Sequence, residues 1–287
     1  MDKITVKAYA KINLSLDITG KRDDGYHLLR TVMQSISICD IITITKTAGE
    51  EITISCDNPA IPLGEKNIVY KTAKMFFAET GKSSGLDIAI EKHIPHQAGM
   101  GGGSADAAAM LVALNTLFDA GLTTGKLCDI GVELGADVPF CIEGGTALCE
   151  GIGEIITPLA PLKNCTVLIS KPKKGISTVE AFRVYDSLSG ISHPDVDAMI
   201  DAINNGTPYA QYCKNVLEFT ALLAELDEIK SGMKAFGAVA SCMTGSGSAV
   251  YGLFDNELSA KECYAKLRTD VGFAEICHPV NHGCEII

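Results

Sequence analysis

PHQAGMGGGSADAA, Pro95 to Ala108, sets four glycines (Gly99, Gly101, Gly102 and Gly103) within five positions, directly ahead of an alanine-rich run. Glycine admits positive φ and carries no side chain, so successive backbone N–H groups can turn toward one anion. The run that follows predicts a helix over 105–118, with Ser104 where an N-cap belongs and a partial positive charge at the helix start. Ala105, Ala107, Ala108 and Ala109 let that helix pack closely and fix the turn. A flexible loop or a tight helix entry is the plainer reading, but loose glycine loops rarely abut a strong helix so directly. The stretch reads as a phosphate cradle. It is not a Walker A loop, because Gly81-Lys82-Ser83 has Phe76 where the first glycine belongs. Nor is it a dinucleotide fingerprint, because Ser104 fills the last glycine position.

The chain around this loop is acidic. Its 287 residues carry 24 Lys+Arg against 35 Asp+Glu, a net charge of −11. No basic run supplies the face that nucleic acid would need, so a phosphate ligand must be held by backbone amides and a few placed cations. An apolar fraction of 47% and a charged fraction of 21% are those of an ordinary globular protein, and the length predicts two domains. The longest apolar stretch, Ala105 to Phe118, carries Asp106 and Asn115 and is too short for a bilayer, so no membrane role is expected. The N-terminus, MDKITVKAYAKINL, shows no export pattern. Eleven scattered cysteines then read as buried thiols of a reducing cytosol, which predicts a cytoplasmic protein.

Working outward, strand patterns cover 4–16, 31–44, 51–55 and 86–91. Helical periodicity covers 67–80, stopped by Gly81. A second helix is predicted over 125–134, with Thr124 as its cap and Gly135 past its end, and a hairpin over 140–155 around Gly144-Gly145. Composition shifts at Pro158, Pro161 and Lys171 to Lys174, which places a domain boundary between 157 and 158. Beyond it the pattern predicts a strand over 166–170, helices over 178–187, 195–203 and 216–226, and a strand–turn–strand over 238–254. A helix over 259–267 closes the series. Strands and helices mixed without a regular βαβ period predict an α+β protein.

With these residues in hand, the chain resembles the GHMP small-molecule kinases. That family's central motif, P-x-x-x-G-[LM]-G-[GS]-[GS]-S-x-x-A, matches Pro95 to Ala107 throughout. KAYAKINLSLDITGKRDDGYHLLRTVMQSI (Lys7 to Ile36) and MTGSGSAVYGLF (Met243 to Phe254) follow its N- and C-terminal motifs. The resemblance implies a ribosomal protein S5 domain 2-like nucleotide domain over 1–157, followed by a ferredoxin-like α+β domain over 158–287. It implies ATP as the phosphate donor, used with Mg2+, and a small-molecule alcohol as acceptor. AKINL, GYH, GGGSADAA and GADVPFC (Gly135 to Cys141) are the pattern of members that phosphorylate the 2-hydroxyl of a cytidine diphosphate-linked methylerythritol, in isoprenoid precursor synthesis. Homoserine or mevalonate as acceptor, or a non-catalytic nucleotide sensor on the same fold, are the alternatives.

By itself Asp137 reads as a turn aspartate, and Lys11 as a lysine pointing out of a strand. The resemblance makes Asp137 the catalytic carboxylate and sets Lys11 beside it. Asn13 shares the strand face of Lys11 and is assigned to substrate. Pro95, His96, Gln97, Ala98, Gly99, Met100, Gly101, Gly102, Gly103, Ser104 and Ala105 are assigned to ATP. By its position Asn67 reads as a helix cap, and the resemblance makes it equally an adenine contact. The resemblance gives the cytosine to Tyr26 by stacking, to His27 by hydrogen bonds and to Phe182 on the opposite face. It brings Gly245 and Ser246 to the substrate phosphates, where a tight hairpin is the plainer reading. The protein ligands of the metal stay open. Cys277, His278, His282 and Cys284 cluster, and His278 to His282 has a metal-like spacing, but Pro279 argues against a helix and zinc sites space paired cysteines more tightly, so they read as a last strand.

Overall fold

The computed structural model describes residues 2–162, 165–221 and 223–287. Its spine is an antiparallel ribbon of two long strands, β1 (Lys3–Lys21) and β2 (His27–Thr47). Both exceed the predicted runs because three register shifts let the pairing continue past local breaks, between Tyr9/Ala10, Asn13/Ser15 and Ile18/Gly20. Such bulges bend a ribbon and re-aim side chains. Next come β3 (Ile52–Cys56), α1 (Ile68–Thr80) and β4 (Gly85–Glu91). β4 pairs with the far half of β2 and, in parallel, with β3. Asn67 caps α1 by accepting from the Val69 N–H, and Gly81 ends it at φ 65°.

The glycine-rich loop leads into α2 (Gly102–Leu117), which is buried nearly all round and packs on β1 and β2. α2 begins three residues before the predicted start. Gly101 is its N-cap at φ 71°, so Ser104 lies inside the first turn and caps nothing. α3 (Thr124–Leu134) is capped by Thr123 rather than Thr124. Residues 140–143, expected at the start of a hairpin, instead belong to a short helix, α4 (Val138–Glu143), because Pro139 suits a first turn. The hairpin comes one step later, from β5 (Thr146–Gly151) and β6 (Ile155–Pro158), and β5 pairs with the near half of β2.

The rest of the chain supplies β7 (Thr166–Lys171), α5 (Thr178–Tyr185), α6 (Val196–Asn205), β8 (Lys214–Asn215) and α7 (Ala224–Ala235). Residues 216–226 are not one helix. A 3-10 turn over Val216–Thr220, entered from the Asn215 cap, precedes α7. β9 (Ala240–Met243), β10 (Val250–Phe254), α8 (Glu257–Leu267), β11 (Phe273–Cys277) and β12 (Cys284–Ile286) complete the chain.

The second sheet runs β11-β7-β10-β9, antiparallel throughout. Counted within this half, that is fourth-first-third-second, the ferredoxin-like order with its helices in the connections. The fold is α+β, as its element pattern predicted. Two short strands cross back to the first sheet: β8 lies parallel to β1 at Ser15 and Leu16, and β12 antiparallel to it at Val6 to Ala8. One large apolar core therefore runs from the first sheet through α2 into residues of β7, β9 and β10.

Candidate active site

A cleft of about 1010 Å3 lies between the two sheets, lined by the glycine-rich loop, β1, the β1–β2 turn, α5 and the 245–246 turn. Its floor is set by β1. Lys11 and Asn13 alternate onto the same face of the strand, and both are buried, with Lys11 only 4% exposed. Lys11 Nζ donates to Asn13 Oδ1 at 2.8 Å and lies 3.2 Å from Asp137 Oδ2. Asn13 Nδ2 in turn donates to Thr31 Oγ1 at 2.8 Å, and its backbone N–H donates to Thr244 Oγ1 at 2.9 Å. A buried cation needs such partners. Asp137 occupies the N-cap position of α4, yet its carboxylate makes no cap bond. It faces Lys11 and the cleft instead.

The glycine loop is tied to this floor. The Lys11 N–H donates to Met100 O at 3.1 Å. A Cβ on Gly101 would sit 3.1 Å from Lys11 Cγ, and at φ 71° the backbone there favours glycine in any case. The loop can lie this close to the lysine only without a side chain. Gly102, Gly103 and Ser104 open α2 with no side-chain cap. Their N–H groups precede any helix carbonyl that could accept from them. An uncapped helix start lined by glycine, in a cleft, fits a phosphate. Every predicted ATP residue from Pro95 to Ser104 lines the cleft. Ala105 does not, since its side chain is in the core and its N–H is committed to Gly101 O at 2.8 Å.

Asn67 also lines the cleft, but its Oδ1 caps Val69 and its Nδ2 donates to Pro62 O at 2.6 Å. At the other end of the cleft Tyr26 is 59% exposed. Phe182 stacks on the imidazole of His27, with ring centres 4.7 Å apart and planes at 22°. His27 Nε2 meets Asp186 Oδ1 at 2.6 Å, and Lys21 Nζ donates to Asp186 Oδ2 at 2.5 Å. The hydrogen bonds from Lys21 and then His27 hold the Asp186 carboxyl below its usual range. Gly245 and Ser246 close the cleft, and the Ser246 hydroxyl lies 2.8 Å from that of Thr178 at the start of α5.

Several residues of the site escaped the sequence reading. Thr31 and Thr244 hold Asn13, and Thr244 stood inside the C-terminal glycine motif, where it could have been noticed. Lys21 stood inside the N-terminal motif without a role attached to it, and Asp186 had no motif to mark it. Behind the loop, Lys92 pairs with both Asp40 and Asp106, all three of them in the interior. Asp40 is well served, by Lys92 and by the N–H groups of His93 and Ile94. Asp106 receives only Lys92, and its Oδ1 has no partner. Burial pushes its carboxyl up to about 8 despite the lysine. Among the described residues no group of three or more His, Cys, Asp or Glu is placed to hold a metal ion. His282 packs edge-on to Tyr9, and Cys284 Sγ reaches Cys141 O at 3.3 Å.

The two-lobed fold and a glycine-cradled cleft with a paired lysine and aspartate define a class of small-molecule kinase. Residues 67–145 match the GHMP kinases N terminal domain and residues 187–272 the GHMP kinases C terminal domain. The chain belongs to the GHMP kinase family, whose members use ATP as phosphate donor. It is 45% identical over 267 residues to the 4-diphosphocytidyl-2-C-methyl-D-erythritol kinase of Clostridium beijerinckii, covering 92% of this chain and 95% of the relative. A crystal structure of 4-(cytidine 5'-diphospho)-2C-methyl-D-erythritol kinase superposes with a TM-score of 0.79 at 31% identity, covering 95% of this chain and 98% of that one. Homoserine kinase from Cytophaga hutchinsonii reaches a TM-score of 0.82 at 18% identity, over 100% and 98% of the two chains. That likeness is one of fold alone.

Proposed function

We propose that this chain transfers the γ-phosphoryl group of ATP to the 2-hydroxyl of 4-diphosphocytidyl-2-C-methyl-D-erythritol, giving the 2-phosphate and ADP. The observation that carries the reading is the Lys11–Asp137 pair, 3.2 Å apart, in the same cleft as the uncapped start of α2. The N–H groups of Gly102, Gly103 and Ser104 bind the transferring phosphate, while Gly245 and Ser246 approach from the other lobe. Asp137 accepts the proton of the attacking hydroxyl and aims its oxygen in line. Lys11 keeps that carboxylate in place and offsets the charge spread over the phosphoryl oxygens. The Ser104 hydroxyl and the Asp137 carboxylate are the oxygen donors suited to Mg2+, a hard cation bound through one or two carboxylates plus phosphates. When bound, it neutralises phosphate charge.

Asn13, with one amide N–H left after bonding Thr31, serves the substrate from the floor, and Asn67 serves adenine while capping α1. Tyr26, His27 and Phe182 hold the cytosine. Residues 1–157 act as the nucleotide domain and 158–287 as the second domain, in a cytoplasm whose reducing conditions suit eleven free thiols.

The test is ADP release with Mg-ATP and the cytidyl substrate, run beside Asp137→Ala. Turnover that falls about 100- to 10,000-fold in the variant supports both substrate and carboxylate. A folded wild type that binds ATP and releases no ADP above background removes the substrate assignment, and homoserine and mevalonate become the next acceptors to try.

A further inference from the structure

The reading of His27 as the residue that hydrogen-bonds the base rests on the function proposed above, and it raises a question of chemistry. A neutral imidazole has one N–H donor and one lone-pair acceptor, and it distinguishes base edges only if something fixes which is which. Nε2 of His27 lies 2.6 Å from Asp186 Oδ1, and the other oxygen of Asp186 accepts from Lys21. An ionised carboxylate only accepts, so the single proton of the neutral ring sits on Nε2 and leaves Nδ1 with its lone pair. The ring is also fixed in plane. It stacks on Phe182 and meets Tyr185 edge-on at 6.3 Å and 89°, with its side chain 10% exposed. Phe182, Tyr185 and Asp186 all belong to α5 or its C-cap. One helix therefore sets the position, the plane and the proton of the ring.

We propose that Asp186 is a positioning residue that fixes the tautomer of His27 and thereby makes the cleft select cytosine over uracil. Nδ1 as an acceptor complements the exocyclic amino group of cytosine. Uracil presents a carbonyl oxygen at that position, which would set lone pair against lone pair. A site built around one hydrogen bond rejects the analogue that lacks it far more strongly than an apolar pocket does. Lys21 completes the device by offsetting the charge of Asp186, which would otherwise stand bare in a cleft meant for phosphates.

Two variants of the full chain test this, Asp186→Ala and Asp186→Asn. Imidazole 15N NMR of the ligand-free protein reports which nitrogen carries the proton and needs no turnover; the His27 signal is assigned by its absence in His27→Gln. The wild type is expected to show one tautomer with the proton on Nε2, the alanine variant a mixture, and the asparagine variant, whose one oxygen is claimed by the Lys21 ammonium so that its NH2 faces Nε2, the opposite form with the proton on Nδ1. Competition between cytidine 5'-diphosphate and uridine 5'-diphosphate reads the consequence. The preference for the cytidine nucleotide falls about tenfold or more in the alanine variant and at least as far in the asparagine variant, where Nδ1 has become a donor. With the full substrate the loss appears in KM, with kcat nearly unchanged, because Asp186 touches no reacting atom. An Asp186→Ala protein with the wild-type tautomer and the wild-type nucleotide preference overturns the proposal. A wild type that fails to phosphorylate the cytidyl substrate, while its nucleotide preference still collapses in Asp186→Ala, overturns the substrate assignment alone and supports the role of Asp186.

Discussion

At the scale of single residues, two lysines in this protein show what a buried cation can do. Lys11 is held by Asn13 and Asp137, and the second of these is 28% exposed in its side chain. Replacing Lys11 with Met leaves a carboxylate that water can still solvate, so the fold should survive while the phosphoryl charge loses its nearest cation. kcat is expected to drop about 100- to 1,000-fold with an unshifted thermal midpoint. A melt that collapses along with kcat would make Lys11 a structural residue instead. Lys92 must serve both Asp40 and Asp106, and Asp106 is the one left short. Burial pushes the pKa of its carboxyl up in the fold, from 3.8 to about 8. The folded state thus keeps a proton that the unfolded chain releases between those values. The associated stabilisation is complete below about pH 4 and is lost as pH rises through 8. Asp106→Asn cannot ionise, so its stability relative to wild type should improve from pH 5 to pH 8.5 in urea titrations. Parallel curves would place the strain elsewhere. Neither lysine was legible from pattern alone. Lys11 in an apolar strand looks like an outward residue until its motif places it, and Lys92 owes its burial to two carboxylates 52 and 14 residues away in the chain.

At the scale of elements, α2 explains why the glycine loop is rich in glycine and why its helix begins where it does. The alanine run made the helix readable, but its first turn was not. Glycine is a poor helix former, and the local pattern therefore hid that Gly102 and Gly103 belong to the helix. Docking decides the matter: the Met100 carbonyl bonds to β1, Gly101 turns at positive φ, and α2 starts against the sheet. Ser104 moves from cap to first turn, and three N–H groups stay available to an anion. Gly101→Ala tests this geometry. A methyl group there meets Lys11 Cγ at 3.1 Å in a backbone conformation alanine resists, so the loop must shift, the lysine must shift, or both. We expect weaker ATP binding together with at least a tenfold fall in kcat, read by calorimetry and steady-state kinetics. Unchanged ATP affinity with a lowered thermal midpoint would show that the loop is needed for folding and not for phosphate. In the second half of the chain β7, β9 and β10 were easier to read, because they are short and almost wholly buried, whereas the half-exposed β8 and β11 gave no pattern. One error there, a single helix over 216–226, arose because Asn215 caps a 3-10 turn with the same chemistry that starts an α-helix.

At the scale of the whole molecule, composition marks a boundary near 157, and the two sheets lie largely to either side of it. The connections do not respect it. β8 and β12 come from the second half of the sequence and hydrogen-bond to β1. The glycine loop is stitched to the 244–249 turn: Ala249 N–H donates to Ala98 O at 3.1 Å, and Thr244 Oγ1 donates to Gly99 O at 3.3 Å. A Cβ on Gly99 would lie 2.2 Å from the Thr244 carbonyl oxygen, so the two loops meet backbone to backbone. No short-range pattern could announce such contacts, since they join residues about 150 apart. They also bear on catalysis, because Thr244 holds both the loop and Asn13. A protein built this way should unfold as one unit, although it has two sheets. Expressed alone, residues 1–157 would lack β8 and β12, two of the three strands that pair with β1, and would expose the apolar core shared with β7, β9 and β10. The expected result is a fragment without a cooperative thermal transition by circular dichroism, beside a full chain that melts in one step. A fragment that melts cooperatively and still binds ATP would show that the seam orients two finished domains, and the cross-lobe bonds of Thr244 would then matter for catalysis without being needed for folding.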